Sequence, residues 1–254
     1  MTDSRRVLIL AAGRGRRMRE ATADRPKCLV ELAGRPLLEW QRAAFRQAGI
    51  ETVAAVGGYR ADRLAQEIEV PFVNQAWETT NMVRSLTCAA AWLESGDTLV
   101  SYSDIAFNAS AVERLAAATG DIAITYDRQW APLWAGRFEA PLDDAETFRI
   151  DGGLVTEIGG RPQSPEEIQG QFMGLLRFSA DGWRRIGRFL DGLEPAAVDR
   201  LDMTGLLARL IAAGESVEGV AVDGGWVEVD SESDLAYYES MIRAQAPRWT
   251  HDWR

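Results

Sequence analysis

With 254 residues, two cysteines and a net charge of −10, the chain is long enough to bury an α/β core unaided and acidic enough to repel nucleic acid and anionic membrane. Cys28 and Cys88 lie far apart, which argues against a disulfide framework or a cysteine-ligated metal and for a reducing compartment. No stretch reaches the roughly 18 apolar residues of a membrane span. The first apolar strand runs straight into a glycine-rich loop, unlike a signal peptide, so a cytoplasmic location is expected.

In chain order, residues 5–10 read as a buried strand followed by a loop over 11–18. Pro36 opens a helix through about Ala48, which Gly49 ends. A strand over 52–56, a helix near 61–68 and a short strand over 71–74 follow. Residues 82–93 read as one helix, capped by Asn81 or Thr80, and 98–102 as a strand ending at Ser103-Asp104. A helix over 109–118 and a strand over 121–126 complete an alternation that predicts a mostly parallel sheet covered on both faces.

The pattern then changes. Residues 128–142 are rich in Trp, Pro and Arg, and 148–158, centred on Asp151-Gly152-Gly153, read as a hairpin. A strand over 171–178, helices over 180–190 and 203–213, strands within 217–230 and a helix over 231–244 close the chain. With no repeat and no linker, the expectation is one domain over 1–254, with about 128–178 forming an acceptor-facing lobe.

One segment departs from the acidic background. Residues 14–27 carry Arg14, Arg16, Arg17, Arg19, Arg25 and Lys27 against Glu20 and Asp24, a net +4 in a chain whose remainder is −14. Such a knot suits a small, highly charged anion. In Leu10-Ala11-Ala12-Gly13-Arg14-Gly15-Arg16-Arg17-Met18, small residues let backbone N–H groups approach phosphate oxygens while arginines supply charge. A dinucleotide fingerprint would need a third glycine where Met18 stands, and a Walker loop would need Gly-Lys-Ser/Thr.

After this loop come Arg25-Pro26-Lys27, Leu29-Val30 and Gly34-Arg35-Pro36-Leu37-Leu38. In these three spaced elements the sequence resembles the nucleotidyltransferase superfamily that activates sugar phosphates and phospho-alcohols. The resemblance implies a Rossmann-like fold. It also implies that Ala11, Ala12, Gly13, Arg14 and Gly15 cradle the nucleotide while Arg17 and Lys27 hold its triphosphate. It further makes Asp104, just past a strand end, and Asp230, in Trp226-Val227-Glu228-Val229-Asp230, the expected ligands of Mg²⁺. That ion takes few protein carboxylates and completes its shell with phosphate and water.

Further segments resemble one branch of the superfamily: Asn81-Met82-Val83-Arg84-Ser85-Leu86, Ser101-Tyr102-Ser103-Asp104-Ile105, Trp130-Ala131-Pro132-Leu133-Trp134, Asp144-Ala145-Glu146-Thr147-Phe148 and Gln169-Gly170-Gln171-Phe172-Met173-Gly174-Leu175. They look like bacterial CTP:phosphocholine cytidylyltransferases and the similar enzymes that activate 2-aminoethylphosphonate. On that resemblance the cytosine is expected against Ala11-Ala12 and near Gly58, Gln75 and Ser85, with Asn81 also binding the nucleotide. An acceptor cage for a cationic head group is expected from Tyr126, Asp127, Trp130, Trp134, Glu146, Phe148, Met173, Trp226 and Glu228. The expected reaction is transfer of CMP from CTP to phosphocholine. A phosphonate is the alternative acceptor, and a sugar-1-phosphate enzyme or a non-catalytic nucleotide-binding protein lies further off.

The chemistry agrees from below. The only histidine is His251, in a tail (246–254) without a counterpart in these motifs, so Ser-His or His-metal catalysis is poorly served. A phosphomonoester, with a second pKa of about 6, is already a nucleophile at neutral pH. What remains is charge neutralisation and in-line positioning.

Overall fold

The computed structural model describes residues 5–244 and 249–254. Thirteen strands and ten helices follow in order: β1 (Arg6–Ala11), β2 (Glu31–Leu32), β3 (Arg35–Pro36), α1 (Leu37–Gln47), β4 (Thr52–Gly57), α2 (Ala61–Leu64), β5 (Glu69–Val73), α3 (Met82–Thr87), α4 (Ala90–Glu94), β6 (Thr98–Tyr102), β7 (Ile105–Phe107), α5 (Ala109–Ala116), β8 (Ile122–Asp127), α6 (Trp130–Arg137), β9 (Phe148–Asp151), β10 (Leu154–Ile158), β11 (Gln171–Phe178), α7 (Ala180–Asp191), α8 (Pro195–Arg200), α9 (Met203–Ala212), β12 (Glu218–Val222), β13 (Trp226–Glu228) and α10 (Glu232–Arg243). Nine strands form one sheet in the order β5-β4-β1-β6-β11-β8-β12-β10-β9. Seven run the same way; β10 and β11 run against them. The expected mostly parallel α/β sheet is therefore present, with β11 laid antiparallel between β6 and β8. Of the segment expected as a lobe, the last strand thus runs through the middle of the sheet, and the β9–β10 hairpin extends its edge.

Both faces of the sheet are covered, and the strand period of two divides the core. Val7, Ile9 and Ala11 face one apolar layer with Leu99, Ala123 and Leu175; Leu8 and Leu10 face the other with Val100, Ile124 and Leu176. The helices expected over 36–48 and 109–118 form as α1 and α5. The single helix expected over 82–93 is broken: Ala89 leaves helical geometry and its N–H turns back to Leu86, separating α3 from α4. The helix expected over 61–68 is regular only through Leu64. Among the described residues no helix is long and apolar enough to cross a membrane, and Cys28 and Cys88 are both free.

Residues 246–248 of the tail lie outside the described residues, but 249–254 dock into the fold. His251 and Trp253 are buried, and Trp253 packs edge-on against Trp40. The His251 ring places Nε2 2.8 Å from Asp127 Oδ2. Asp127 also accepts hydrogen bonds from Trp226 Nε1 (2.9 Å), Gly224 N–H (2.8 Å) and Gln129 N–H (2.8 Å). Burial alone would raise this carboxyl, but His251 and the three N–H donors overcome it and hold it below the ordinary aspartate range. Replacing Asp127 with Ala strands buried donors and is expected to cost about 3–5 kcal/mol in urea unfolding. Because the folded carboxyl titrates below its unfolded value, the wild type's advantage over Asp127→Ala is fully present at neutral pH and is lost as pH falls below about 4. A difference under about 1 kcal/mol at pH 7 would mean that the cluster contributes no such stability.

Candidate active site

The site opens at the carboxyl end of β1, flanked in parallel by β4 and β6, where an open α/β sheet leaves a crevice. The chain leaves the sheet at Ala12, and Gly15 turns it with φ +67°, a conformation that favours glycine. A Cβ on Gly15 would stand 3.0 Å from Lys27 Cδ, so the bare backbone lets the lysine stem run beneath the loop. Gly58, after β4, is forced in the same way: a Cβ there would lie 2.6 Å from the Ala12 carbonyl oxygen and 2.7 Å from Trp77 Cβ. The next residue, Tyr59, donates its N–H to that carbonyl.

The cleft wall is built by Ala12, Gly13, Gly15, Arg17, Lys27, Asn81, Ser85, Asp104 and Asp230, all expected from sequence, and by Leu10, Trp77, Thr80, Met82, Tyr102 and Ser103, which sequence reasoning missed. Four expected nucleotide contacts stand elsewhere. Ala11 is buried in the core as the last residue of β1, Arg14 lies over the Tyr59 ring, Gly58 supports Ala12 from behind, and Gln75 is exposed. In the turn that carries Gln75, the buried residue is Asn74, whose Nδ2 donates to Thr80 Oγ1 and Ser85 Oγ and whose Oδ1 accepts from Ala76 N–H. Asn81 caps α3 by accepting from Met82 N–H.

Charge concentrates at the floor. Asp104 sits in the turn from β6 to β7, and β7 pairs antiparallel with β13, setting Ile105 opposite Glu228. The Asp104 carbonyl accepts from Val229 N–H at 2.8 Å, which closes the register. Buried Gln41 of α1 holds this turn, donating from Nε2 to the carbonyls of Tyr102 and Ile105. As a result Asp104, Glu228 and Asp230 each offer a carboxylate oxygen within 4.8 Å of the others. Glu228, expected on the acceptor, belongs to this cluster.

Lys27 Nζ enters between them, 2.7 Å from Asp104 Oδ2 and 2.6 Å from Asp230 Oδ1, and Arg17 Nη2 stands 3.0 Å from Asp230 Oδ1. Burial would depress the Lys27 ammonium; Asp104 and Asp230 reverse this and hold it above the ordinary lysine value. Burial would raise Asp230, and Lys27, Arg17 and Arg137 hold it down instead. Glu228 is pushed up to about 8, by burial and then by the Asp230 charge. Asp104 Oδ1 is buried and has no hydrogen-bond partner among the described residues. A buried carboxylate oxygen left free, beside two further carboxylates, fits a hard divalent cation that binds through oxygen.

The residues expected to form the aromatic cage are divided between the two core layers. Tyr126 and Phe148 stack on each other at 4.8 Å in one core layer, whereas Trp130, Trp134, Met173 and Trp226 belong to the other. All six are buried, and fully buried Asp127 is engaged by His251 and Trp226. Around Trp134 the cation is the protein's own: the Arg137 guanidinium lies 5.2 Å from the Trp134 ring centre and 4.8 Å from that of Phe138. Glu146 stays half-buried near the cleft; its Oε1 accepts from Thr204 Oγ1 at 3.2 Å. Burial raises the Glu146 carboxyl, and Asp202 and Asp144 add to the effect. The Tyr102 hydroxyl is held well above its usual range by burial and then by the charges of Asp104, Glu146, Glu228 and Asp202.

Comparison with known proteins shows the family and the fold. Residues 7–158 match the MobA-like NTP transferase domain. The chain is 34% identical over 245 residues to the CTP:phosphoglutamine cytidylyltransferase of Campylobacter jejuni, covering 90% of this chain and 97% of that one. It is 26% identical over 244 residues to the 2-aminoethylphosphonate cytidylyltransferase of Lancefieldella rimae, covering 92% and 91%. In three dimensions it resembles the CTP:phosphocholine cytidylyltransferase of Streptococcus pneumoniae with a TM-score of 0.69 at 19% identity, covering 94% and 99%.

The glycine behind the loop gives a direct test. Gly58→Ala drives a methyl group into the Ala12 carbonyl, an overpacking that costs about 1–3 kcal/mol. It is expected to raise the KM for the nucleotide at least about tenfold with a smaller effect on kcat. An unchanged KM would show that the loop does not depend on this support.

Proposed function

The chain belongs to the MobA-like NTP transferase family, and from that footing we propose that it transfers CMP from CTP to a small phosphorylated or phosphonate acceptor bearing a primary ammonium group. It is a cytidylyltransferase acting on a phosphorylated substrate; the acceptor and the residue roles below are our reading. The observation that carries this reading is the knot of Lys27, Asp104, Glu228 and Asp230 beneath the glycine loop, with basic Arg17 at its lip. In this reading the cytosine rests against Leu10, Ala12 and Ser85, and the triphosphate crosses Gly13 to Arg17 above Lys27. Asp104 and Asp230, joined by Glu228, would hold Mg²⁺, which when bound supplies charge neutralisation at the phosphates.

An oxygen of the acceptor phosphate attacks the α-phosphorus of CTP. The bond from that phosphorus to the β-bridging oxygen breaks, and pyrophosphate leaves with the electron pair. The nucleophile is already anionic, so no general base is required. Lys27 and Arg17 neutralise the charge that grows on the transferring and leaving groups. Lys27→Ala and Asp104→Ala are each expected to lower kcat about 10²–10³-fold with the fold retained. Near-normal turnover of either variant at saturating CTP and Mg²⁺ would refute these roles.

Two features support an amine over a quaternary head group. Of the tryptophans expected around the acceptor, Trp134 packs against Arg137 and donates to Asp144, and Trp226 donates to buried Asp127. The polar groups offered beside the cleft, Glu146 and Glu228, are instead carboxyl groups that can accept hydrogen bonds. A primary ammonium brings three donors to such a site, whereas a quaternary one brings none. The test is pyrophosphate release from each of the four nucleoside triphosphates with phosphocholine, phosphoethanolamine, 2-aminoethylphosphonate, phosphorylated glutamine and glucose 1-phosphate. We expect CTP to be preferred, and kcat/KM for the best primary-amine acceptor to exceed that for phosphocholine at least about tenfold, the scale set by donors that need partners. A tenfold preference for phosphocholine would overturn the amine assignment and leave the cytidylyl transfer standing.

A further inference from the structure

Arg137, the last residue of α6, has a side chain with no solvent exposure, although it lies at the edge of the acidic knot. Its fork divides among three carboxylates: Nη1 donates to Glu228 Oε2 at 3.2 Å, Nε donates to Asp234 Oδ1 at 3.1 Å, and Nη2 stands 3.6 Å from Asp230 Oδ2 with no hydrogen-bond partner among the described residues. Trp134 and Phe138 hold the plane of the guanidinium from their ring faces. Asp234 is fixed in turn. It forms the capping box of α10 with Ser231, and its Oδ2 accepts from the N–H groups of both Asp230 and Ser231. The fork therefore spans a rigid helix cap on one side and two of the three clustered carboxylates on the other.

We propose that Arg137 is a positioning residue for the divalent cation: its fork and the rings beneath it hold the Glu228 and Asp230 carboxylates at the spacing that the ion requires. The inference rests on the reading that Asp104, Glu228 and Asp230 bind the ion. A lysine is a point charge and cannot reproduce a planar fork, so Arg137→Lys keeps the charge and removes the geometry. This matters because deleting the charge would by itself favour cation binding and obscure the effect. Trp134→Leu is the second probe: it leaves every charge in place and removes one ring that holds the plane.

The experiment is Mn²⁺ binding, followed by paramagnetic resonance, to the full chain with CTP present and acceptor absent, together with the Mg²⁺ dependence of pyrophosphate release. Arg137→Lys is expected to weaken Mn²⁺ binding at least fivefold and to raise the half-saturating Mg²⁺ by a similar factor. Its kcat at saturating Mg²⁺ should return to at least half that of the wild type. Trp134→Leu is expected to shift both constants in the same direction by twofold or more. A merely structural defect would lower kcat through the folded fraction and leave both metal constants unmoved. Metal constants within twofold of wild type in the folded Arg137→Lys protein overturn the proposal; if that variant does not fold, the same result in Trp134→Leu overturns it. A wild type that binds no Mn²⁺ with CTP refutes the metal site itself, an outcome distinct from variants that match a metal-binding wild type.

Discussion

Three carboxyl groups within 4.8 Å of one another cannot all ionise without counter-charge. At an effective dielectric near 20, two like charges about 4 Å apart repel by about 4 kcal/mol. The protein meets this with Lys27 from below, Arg17 at the lip and Arg137 from the side, each arriving from a different part of the chain. The short β7–β13 pairing and the cap of α10 form the frame that makes the crowding possible. This concentration of opposed charge is what a reaction between two phosphorylated reactants needs, since its barrier is largely electrostatic.

The same charges explain the uneven distribution along the sequence. A chain of net −10 would repel a nucleoside triphosphate, yet the basic run over 14–27 delivers Arg17 and Lys27 to the cleft where β1 opens between β4 and β6. Two close backbone approaches, at Gly15 and Gly58, press that run onto the floor of the cleft. Their loss would cost geometry before it cost stability, which is why loop placement and charge placement are one problem here.

Local patterns were the legible part. The apolar run of β1, the small residues after it and the strand–helix alternation signal a covered, largely parallel sheet, and Lys27, Asp104 and Asp230 stand out by their motifs. All three do lie within one cleft. Patterns that depend on what faces a residue across the fold were not legible. Trp130 and Trp134 are four apart on a helix, but nothing in that spacing says that the cation they meet is Arg137. Asp127, placed among acceptor carboxylates by its neighbours, is instead the acceptor for a tail histidine 124 residues away. Gln41 and Asn74, which brace the turns of the site, look like ordinary polar residues until their carbonyl and hydroxyl partners are seen.

By itself the sequence pointed to the class of chemistry, because the glycine-rich loop and the motifs after it, whose resemblance to nucleotidyltransferases carries that reading, are contiguous and local. Only the tertiary structure decided which acidic and aromatic side chains face the cleft. Tyr126 and Phe148 pack into one core layer, while Trp134 on α6 and Trp226 on β13 pack into the other. Burial then consumed most of the rings and one carboxylate in internal partnerships, leaving Glu146 half-buried and Glu228 among the clustered carboxylates. That division follows from register and burial, which depend on residues a hundred or more positions apart.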